Sequence, residues 1–345
     1  MDMIKKQEES INLHKNLQQH TMNVFINKNI PEAGLRLLQE KDINLTINPT
    51  ENILSRKEFI EICQKNDVLL NVGTNNLDED FFQQCPNLKG IALFSVGFDA
   101  VHIPSANSRK IPVGNTPDVL SRATSDVAFL LMQSVARKSF YNHKRIINND
   151  WGSFDPLANL GQELYGKTLG IFGLGRIGFE MAQKCKAAFG MNIIYHNRSH
   201  NAAAEKELDA KLVDFETLLS QSDVLSIHAN YSEENNEIFN KNAFAKMKSN
   251  SIFINTARGK FHNEDDLFEA LTNNIIWGAG LDVTNPEPMK QDNPLLSLTN
   301  CCVLPHIGSA TYEARNGMAV CAAQNVIAVI EGKKMPFCVN EEVYS

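Results

Sequence analysis

The sequence lacks both long hydrophobic runs and an excess of positive charge. Among its 345 residues, no window approaches the roughly 18 continuous apolar residues of a membrane-spanning helix. The formal net charge is -7, whereas surfaces that bind nucleic acid or anionic membranes need clustered Lys and Arg. These absences predict a globular protein that binds neither nucleic acid nor membrane.

The sequence also lacks an even, clustered set of cysteines, since its seven cysteines are scattered in mostly apolar contexts. An odd, scattered set predicts reduced core thiols in a cytoplasmic protein rather than a disulfide framework. The adjacent Cys301 and Cys302 would point to opposite faces of a strand, so we expect no metal site there. Residues 1–21 contain acids and no apolar segment, which predicts a polar tail and neither a signal nor a transit peptide.

Short apolar runs alternate with longer segments of helical spacing, a pattern typical of parallel sheets with helices on both faces. The first series of predicted strands covers residues 22–27, 44–48, 68–72, 90–95 and 111–115. The second series covers residues 168–173, 192–196, 224–229, 251–256, 278–283 and 301–306. A long amphipathic segment from Ser121 separates the two series, and a last helix is predicted over about 312–331.

The segment "TLGIFGLGRIG" places Gly173, Gly175 and Gly178 in a G-x-G-x-x-G pattern, with Arg176 and Ile177 between the last two glycines. An apolar strand precedes the pattern and an amphipathic helix follows it, which favours a dinucleotide site over a simple glycine turn. The first glycine allows the tight turn, the second lets a pyrophosphate approach the backbone, and the third lets helix and strand pack.

These features predict an α/β protein with two doubly wound parallel-sheet domains. A Rossmann nucleotide-binding domain of residues 121–307 would be inserted into a flavodoxin-like substrate-binding domain of residues 22–120 and 308–345. The polar tail of residues 1–21 would precede both domains.

The strand after the glycine loop ends without the acid that usually binds the ribose hydroxyls of NAD. It ends instead in His196, followed by Asn197, Arg198 and Ser199, and we expect these last three residues to contact the cofactor. Arg198 offers a charged fork of donors to a 2′-phosphate, and Ser199 offers another donor. The sequence therefore predicts a preference for NADP(H), with NAD(H) possible; the alternative is that Arg198 stacks on the adenine or is solvated.

In an open parallel sheet, ligands bind beyond the carboxyl ends of the strands. The candidate residues at or after the ends of the later strands are Asn230, Thr256, Ala257, Arg258, Asp282, Glu287, His306, Gly308 and Ser309. Each has an unremarkable alternative as a surface, turn or strand-end residue, but their occurrence at successive strand ends favours a reactive site.

The chemistry that fits this set is hydride transfer to a 2-oxo acid. Arg258 can bind the substrate carboxylate at two points and polarise its carbonyl. His306 can carry and release a proton near neutral pH, and Glu287, hydrogen-bonded to it, would favour the imidazolium. Asp282 stands where it could hold the nicotinamide carboxamide.

Over residues 22–338 the chain resembles the D-isomer-specific 2-hydroxyacid dehydrogenases, through "GLGRIG", "MKSNSIFINTARG", "GLDVTNPEP" and "LPHIGSAT". The last two stretches are similar to the glyoxylate/hydroxypyruvate reductase branch. The resemblance implies a catalytic trio of Arg258, Glu287 and His306. Further substrate contacts are implied at the backbone of Val96 and Gly97 and at Ser309.

The resemblance also implies that the protein is a homodimer joined through the region that begins near Ser121. The implied cofactor contacts include Arg176, Ile177, Arg198, Ser199, Asn230, Thr256, Asp282 and Gly308.

The chain departs from the family pattern at several positions. Asn230 and Tyr231 replace a proline-containing turn, and Asp126 replaces a glutamate. Phe154 and Ala158 stand where some glyoxylate reductases have tryptophans that crowd the substrate, so a larger 2-oxo acid could be accepted.

Two alternatives to a glyoxylate or hydroxypyruvate reductase stay open. One is a 2-ketogluconate-type reductase, and the other is a non-catalytic protein that senses NAD(P). A formate dehydrogenase is disfavoured, because those enzymes carry glutamine where Glu287 stands.

Overall fold

The computed structural model describes residues 21–49, 51–73 and 75–345, so all but the last residue of the predicted polar tail lies outside the described residues. Two units are formed by the chain. Unit 1 contains the described residues up to Thr116 together with Met318–Ser345, and unit 2 is Pro117–Gly317. The chain thus leaves unit 1, completes unit 2, and returns to unit 1 within its last long helix.

Unit 1 is built on a five-stranded parallel sheet with the order β2-β1-β3-β4-β5. Its strands are β1 (Met22–Ile26), β2 (Ile43–Ile47), β3 (Val68–Asn71), β4 (Gly90–Leu93) and β5 (Val113–Gly114). Its helices are α1 (Glu32–Gln39), α2 (Arg56–Cys63), α3 (Glu79–Gln84) and α4 (Ile103–Ser108). Every residue of β3 and β4 is buried, as expected for strands that are covered on both faces.

Unit 2 is built on a seven-stranded parallel sheet with the order β12-β11-β10-β9-β6-β7-β8. Its strands are β6 (Thr168–Phe172), β7 (Asn192–His196), β8 (Lys211–Leu212), β9 (Val224–Ile227), β10 (Ile252–Asn255), β11 (Gly278–Leu281) and β12 (Cys301–Val303). The order reverses between β6 and β9, which is the switch point of a doubly wound sheet. This topology confirms the predicted fold class.

The helices of unit 2 connect these strands. They are α5 (Ser121–Ala136), α6 (Ser139–Ile147), α7 (Arg176–Phe189), α8 (Ala202–Leu208), α9 (Phe215–Gln221), α10 (Lys241–Lys246) and α11 (Glu264–Thr272). The last helix of the chain is α12 (Tyr312–Ile330), within which the chain passes from unit 2 to unit 1. No helix within the described residues has the length and apolar character needed to cross a membrane.

Three sequence predictions differ from the observed elements in detail. Most strands are shorter than predicted, because their last residues already turn into the loops that follow. The segment from Ser121 forms two helices rather than one, since Lys138 takes a left-handed conformation with φ of 51° between α5 and α6. The sequence predicted six strands for the second series, and the additional strand is β8. It was not predicted because two residues at a sheet edge leave no periodic pattern.

The two adjacent cysteines of β12 lie in different cores, as the alternation of a strand requires. Cys302 belongs to the apolar cluster that contains residues of α5 and α7, and Cys301 belongs to the cluster on the other face. Both are free thiols, and burial raises the pKa of Cys302 to about 11. The pair is therefore part of the packing of the sheet.

Candidate active site

The glycine loop after β6 has the shape that a dinucleotide pyrophosphate requires. Gly173 has φ of +92°, and a Cβ there would lie 2.3 Å from the backbone nitrogen of Ala229. A Cβ at Gly178 would lie 2.9 Å from the Gly173 carbonyl oxygen, so α7 packs closely on the loop. At Gly175, by contrast, a Cβ would meet no atom of the described residues within 4 Å. Neighbouring atoms therefore leave no room for a side chain at the first and third glycines, whereas the second glycine borders open space.

Helix α7 begins at this opening, and its first-turn N–H groups and helix dipole favour an anion there. Arg176, the first residue of the helix, is 70% exposed and its Nε lies 2.5 Å from an Asp118 carboxylate oxygen. Ile177 is half-buried beside it. The loop therefore fits a nicotinamide dinucleotide with its pyrophosphate against Gly175.

The loop after β7 is fastened to the glycine loop through Leu174. The Asn197 side chain accepts a hydrogen bond from the Leu174 nitrogen at 2.7 Å and donates to its carbonyl at 3.3 Å. Asn201 donates to the same carbonyl at 3.0 Å. The amide of Asn197, which the sequence suggested as a cofactor contact, is thus bonded at both ends to the protein, while Arg198 and Ser199 are exposed.

A carboxylate that sequence reasoning missed lies beside this loop. Glu205 of α8 accepts hydrogen bonds from the Tyr195 hydroxyl at 2.6 Å and pairs with His200 Nδ1 at 2.7 Å. These contacts, the Tyr195 bond first, lower the pKa of Glu205. The carboxylate anchors the end of the loop, since the same Tyr195 hydroxyl accepts from the Asn201 nitrogen.

The loops after β10, β11 and β12 meet at the same edge of the sheet, because these three strands are parallel neighbours. Arg258 follows β10, Glu287 lies in the loop after β11, and His306 follows β12. A Cβ at Gly259 would lie 2.0 Å from the Thr284 carbonyl oxygen, so the Arg258 loop rests directly on the loop that carries Glu287.

Glu287 and His306 are in direct contact. The Glu287 carboxylate accepts a hydrogen bond from Nδ1 of His306, and the two side chains are 32% and 43% exposed. This bond orients the ring and leaves Nε2 as the nitrogen that can exchange a proton with a ligand. The arrangement provides a carboxylate–imidazole pair at an accessible edge.

Asp282 forms three hydrogen bonds to the backbone of the loop that carries His306. Its backbone carbonyl accepts from the His306 nitrogen at 2.9 Å, and its carboxylate accepts from the nitrogens of Ile307 at 2.8 Å and Gly308 at 2.7 Å. Burial raises the pKa of Asp282, and these two backbone hydrogen bonds oppose that shift. His306 has φ of +51°, an unusual conformation for a residue with a side chain. Asp282 is therefore engaged in positioning this loop, a role that the sequence did not suggest.

The remaining predicted site residues fall in two groups. Val96 and Gly97 belong to unit 1, where their carbonyl oxygens accept hydrogen bonds from Asn115 at 2.8 Å and Ser95 at 2.7 Å. The others lie in unit 2, at strand ends or just beyond them; they are Asn230, Thr256, Ala257, Gly308 and Ser309. Thr256 is 8% exposed, and its hydroxyl has no hydrogen-bond partner in the described part of the chain.

Sequence reasoning also missed Asn255, the last residue of β10. It is fully buried, and its amide bonds to the segment that carries Arg258. The signal was present, because an asparagine inside the apolar run "SIFIN" must find partners. The sequence could not say which partners these are.

Comparison with known proteins places this edge in context. Residues 129–308 match the family model described as "D-isomer specific 2-hydroxyacid dehydrogenase, NAD binding domain". A glyoxylate reductase of Thermococcus litoralis is 40% identical over 93% of this chain and 97% of its own length. A glyoxylate/hydroxypyruvate reductase B of Escherichia coli is 37% identical over 93% of this chain and 98% of its own.

A solved structure shows the same fold with ligands bound. The NADPH-dependent glyoxylate/hydroxypyruvate reductase of Sinorhizobium meliloti, in complex with NADP and malonate, superposes with a TM-score of 0.80. It is 27% identical, and the match covers 93% of this chain and 97% of that one.

Proposed function

Because the chain belongs to the D-isomer specific 2-hydroxyacid dehydrogenase family, we propose that it reduces a small 2-oxo acid with NADPH. Family membership makes it an oxidoreductase with a nicotinamide cofactor. The proposed substrates are glyoxylate and hydroxypyruvate, and the products glycolate and D-glycerate. The observation that carries the proposal is the bond between Glu287 and His306 in loops adjoining that of Arg258.

The chemistry follows from the groups at this edge. The nicotinamide ring, when bound, supplies the hydride that reduces the carbonyl carbon. Arg258 binds the substrate carboxylate through two N–H donors and polarises the carbonyl. His306, as the imidazolium, donates its Nε2 proton to the carbonyl oxygen, and Glu287 stabilises the charged ring until that transfer. The ring regains a proton from solvent, to which it is 43% exposed.

Backbone groups of unit 1 are further predicted substrate contacts. Asn115 holds the carbonyl of the Val96–Gly97 peptide, which fixes the Gly97 N–H in the opposite direction. The Ser95 hydroxyl donates to the carbonyl of Gly97, which holds the peptide that follows. In this proposal the N–H groups of Val96 and Gly97 bind the substrate carboxylate, and Ser309 is a further contact.

The cofactor preference rests on the loop after β7. Neither of the two positions at the strand end, His196 and Asn197, carries an acid that would repel a 2′-phosphate. Arg198 and Ser199 are exposed there and offer donors to a phosphate. The proposed order is therefore NADPH over NADH, with the pyrophosphate at Gly175 and further cofactor contacts at Arg176, Ile177, Asn197, Asn230, Thr256, Ala257, Asp282 and Gly308.

A second copy of the chain is the proposed partner. Unit 2 exposes a run of large apolar side chains that a monomer would leave in water. They are Ile146 at 54%, Ile147 at 69%, Trp151 at 78%, Phe154 at 92%, Leu157 at 81%, Leu160 at 59% and Tyr165 at 66%. Burial of this segment against the same region of a second copy would give a homodimer.

A substrate panel with both cofactors tests the function. We expect NADPH oxidation, followed by absorbance, to be faster with glyoxylate or hydroxypyruvate than with pyruvate or 2-ketogluconate. With the same substrate, NADPH should be oxidised faster than NADH. Chiral analysis of the hydroxypyruvate product should give D-glycerate. If turnover is fastest with 2-ketogluconate, the protein is a 2-ketogluconate-type reductase and the proposed substrates are wrong. Tight NADPH binding without turnover of any of the four acids would indicate a non-catalytic sensor instead.

A further inference from the structure

Asn255 is a fully buried amide at the end of β10, in the same strand-to-loop segment as Arg258. The residues before it, Ile252, Phe253 and Ile254, are all buried and apolar. An amide in such surroundings destabilises the fold unless its polar atoms are paired. The partners of this amide therefore indicate what the protein gains from it.

The Asn255 amide forms hydrogen bonds to the backbone just before Arg258 and to the carbonyl of Arg258 itself. Its Oδ1 accepts a hydrogen bond from the Ala257 nitrogen at 3.0 Å, and its Nδ2 donates to the Arg258 carbonyl at 2.8 Å. The second Nδ2 hydrogen faces Nδ1 of His262 at 3.1 Å. A flipped amide would set oxygen against the Arg258 carbonyl and nitrogen against the Ala257 N–H, so its orientation is unique.

His262 supports this amide from the other side of the turn. It is 1% exposed, and its backbone nitrogen donates to the Gly259 carbonyl at 3.1 Å. Since Nδ1 accepts from Asn255, the ring proton lies on Nε2, which has no hydrogen-bond partner among the described residues. Burial lowers the pKa of His262 to about 4, so the ring is neutral at pH 7.

We propose that Asn255, supported by His262, is a positioning residue that fixes the backbone of Arg258 and thereby aims its guanidinium at the substrate carboxylate. This inference rests on the proposed function, in which Arg258 binds that carboxylate. A two-point contact between a guanidinium and a carboxylate is sensitive to angle, and a misplacement of about 1 Å can cost a reaction roughly 10²-fold.

Asn255→Asp tests the proposal with an almost isosteric side chain. It keeps the acceptor for the Ala257 nitrogen but sets a carboxylate oxygen against the Arg258 carbonyl. We expect kcat/KM for glyoxylate to fall about 30-fold or more, and the affinity for oxamate, an unreactive 2-oxo acid isostere, to fall with it. The KM for NADPH should change less than kcat/KM for glyoxylate, because the glycine loop and the loop after β7 are not touched and only the proposed contacts at Thr256 and Ala257 lie in this segment.

Asn340→Asp is the matched control. Asn340 is also fully buried, accepts from the Val113 nitrogen at 2.8 Å, and donates to the Ile111 carbonyl at 3.0 Å and to Asn107 at 2.8 Å. All of these partners belong to unit 1. A general loss of stability from a buried carboxylate should appear in both variants as a lower Tm, whereas the loss of oxamate affinity should appear in Asn255→Asp alone. Equal effects on oxamate would overturn the proposal.

His262 provides a second route if Asn255→Asp does not fold. His262→Gln retains an acceptor for the Asn255 amide and should stay within about threefold of the wild type in oxamate affinity. His262→Leu removes the acceptor and should lower that affinity about fivefold to tenfold, roughly the loss of one hydrogen bond. Identical oxamate affinity in the two variants would remove His262 from the positioning role.

The Arg258→Ala background separates this inference from the proposed function. If Asn255 acts through the guanidinium, Asn255→Asp should change kcat/KM less than about twofold in an enzyme that already lacks it. An undiminished second loss would show that Asn255 acts elsewhere. If Arg258→Ala itself leaves kcat/KM unchanged, the proposed function fails first; if Arg258→Ala abolishes turnover while Asn255→Asp matches the wild type, this inference alone fails.

Discussion

The edge of the seven-stranded sheet has two halves, in which the groups proposed to contact ligands are held in different ways. After β6 and β7, the groups on offer are backbone N–H groups at the start of α7 and the exposed side chain of Arg198. After β10, β11 and β12, they are the side chains of Arg258, Glu287 and His306. We refer to these as the nucleotide half and the reaction half.

The anchors behind the two halves also differ. In the reaction half, Asn255 and Asp282 are 0% and 1% exposed, and each bonds to the backbone next to a reactive side chain. In the nucleotide half, Asn197 and Asn201 are only half-buried and fasten one loop to another at Leu174. The difference indicates that the backbone next to the side chains of the reaction half is held more firmly than the loops of the nucleotide half. Changes in the first should therefore alter kcat, and changes in the second should alter cofactor affinity.

The largest effect is expected from His306→Gln. The variant retains a polar side chain but has no proton to give near neutral pH, so kcat with glyoxylate should fall about 10³-fold. The dissociation constant for NADPH, measured by fluorescence titration, should change less than about threefold, because the glycine loop is untouched.

His102→Gln is the control for this substitution. His102 of unit 1 is also exposed and hydrogen-bonded through Nδ1, in its case to the Ser105 hydroxyl at 2.7 Å. Its substitution should leave kcat unchanged. A His306→Gln enzyme with more than about a tenth of the wild-type kcat would show that the proton comes from another group.

A smaller effect, on affinity rather than rate, is expected from Gly175→Ala. Within the part of the chain that the structure describes, a Cβ at this position meets no atom within 4 Å, so Tm should change little. The same methyl group would stand where the pyrophosphate approaches the backbone, and NADPH affinity should fall about 100-fold. Calorimetric titration gives the affinity, and Gly152→Ala, where a Cβ is equally unobstructed, provides the control.

Unchanged NADPH binding by Gly175→Ala would show that the pyrophosphate does not bind at this loop. Gly178→Ala sharpens the result, because its Cβ would lie 2.9 Å from the Gly173 carbonyl oxygen. That variant should lose stability as well as affinity, whereas Gly175→Ala should lose affinity alone.

In both halves the sequence predicts the groups proposed to contact ligands. The glycine loop and the strand ends that carry Arg258, Glu287 and His306 follow from local patterns, since parallel strands bring their carboxyl ends to one edge. The pairing of Glu287 with His306 was expected and is present in the structure. The fold class and the family are confirmed.

What the sequence could not supply is the set of anchors. Asn197 and Asp282 were predicted as cofactor contacts, and the structure shows that both also form hydrogen bonds to loop backbone, which the sequence did not suggest. The same holds for Asn255 and Glu205, whose partners depend on loop conformation rather than on spacing along the chain. A hydrogen bond between a side chain and a loop leaves no periodic trace, so such residues are recognised only in three dimensions.

The smallest effect is expected from Arg198→Asp, in the nucleotide half. The substitution removes a phosphate-binding fork from an exposed position and adds an acid that can accept from the ribose hydroxyls. We expect kcat/KM with NADPH to fall about tenfold or somewhat more, and kcat/KM with NADH to rise a few-fold, while kcat with saturating cofactor stays near the wild type. Steady-state kinetics with both cofactors measures all three quantities.

The control for Arg198→Asp is Lys65→Asp, an exposed charge reversal in unit 1. It alters the net charge by the same amount, so a change in NADPH affinity shared by both variants would reflect only the general field of the protein. A wild-type enzyme that already prefers NADH would contradict the phosphate role of Arg198, and the nearby Glu205 carboxylate would then be the first group to examine. If Arg198→Asp instead lowers kcat with the cofactor ratio unchanged, the two halves are coupled, because a surface charge at the nucleotide end would then control the alignment of groups at the reaction end.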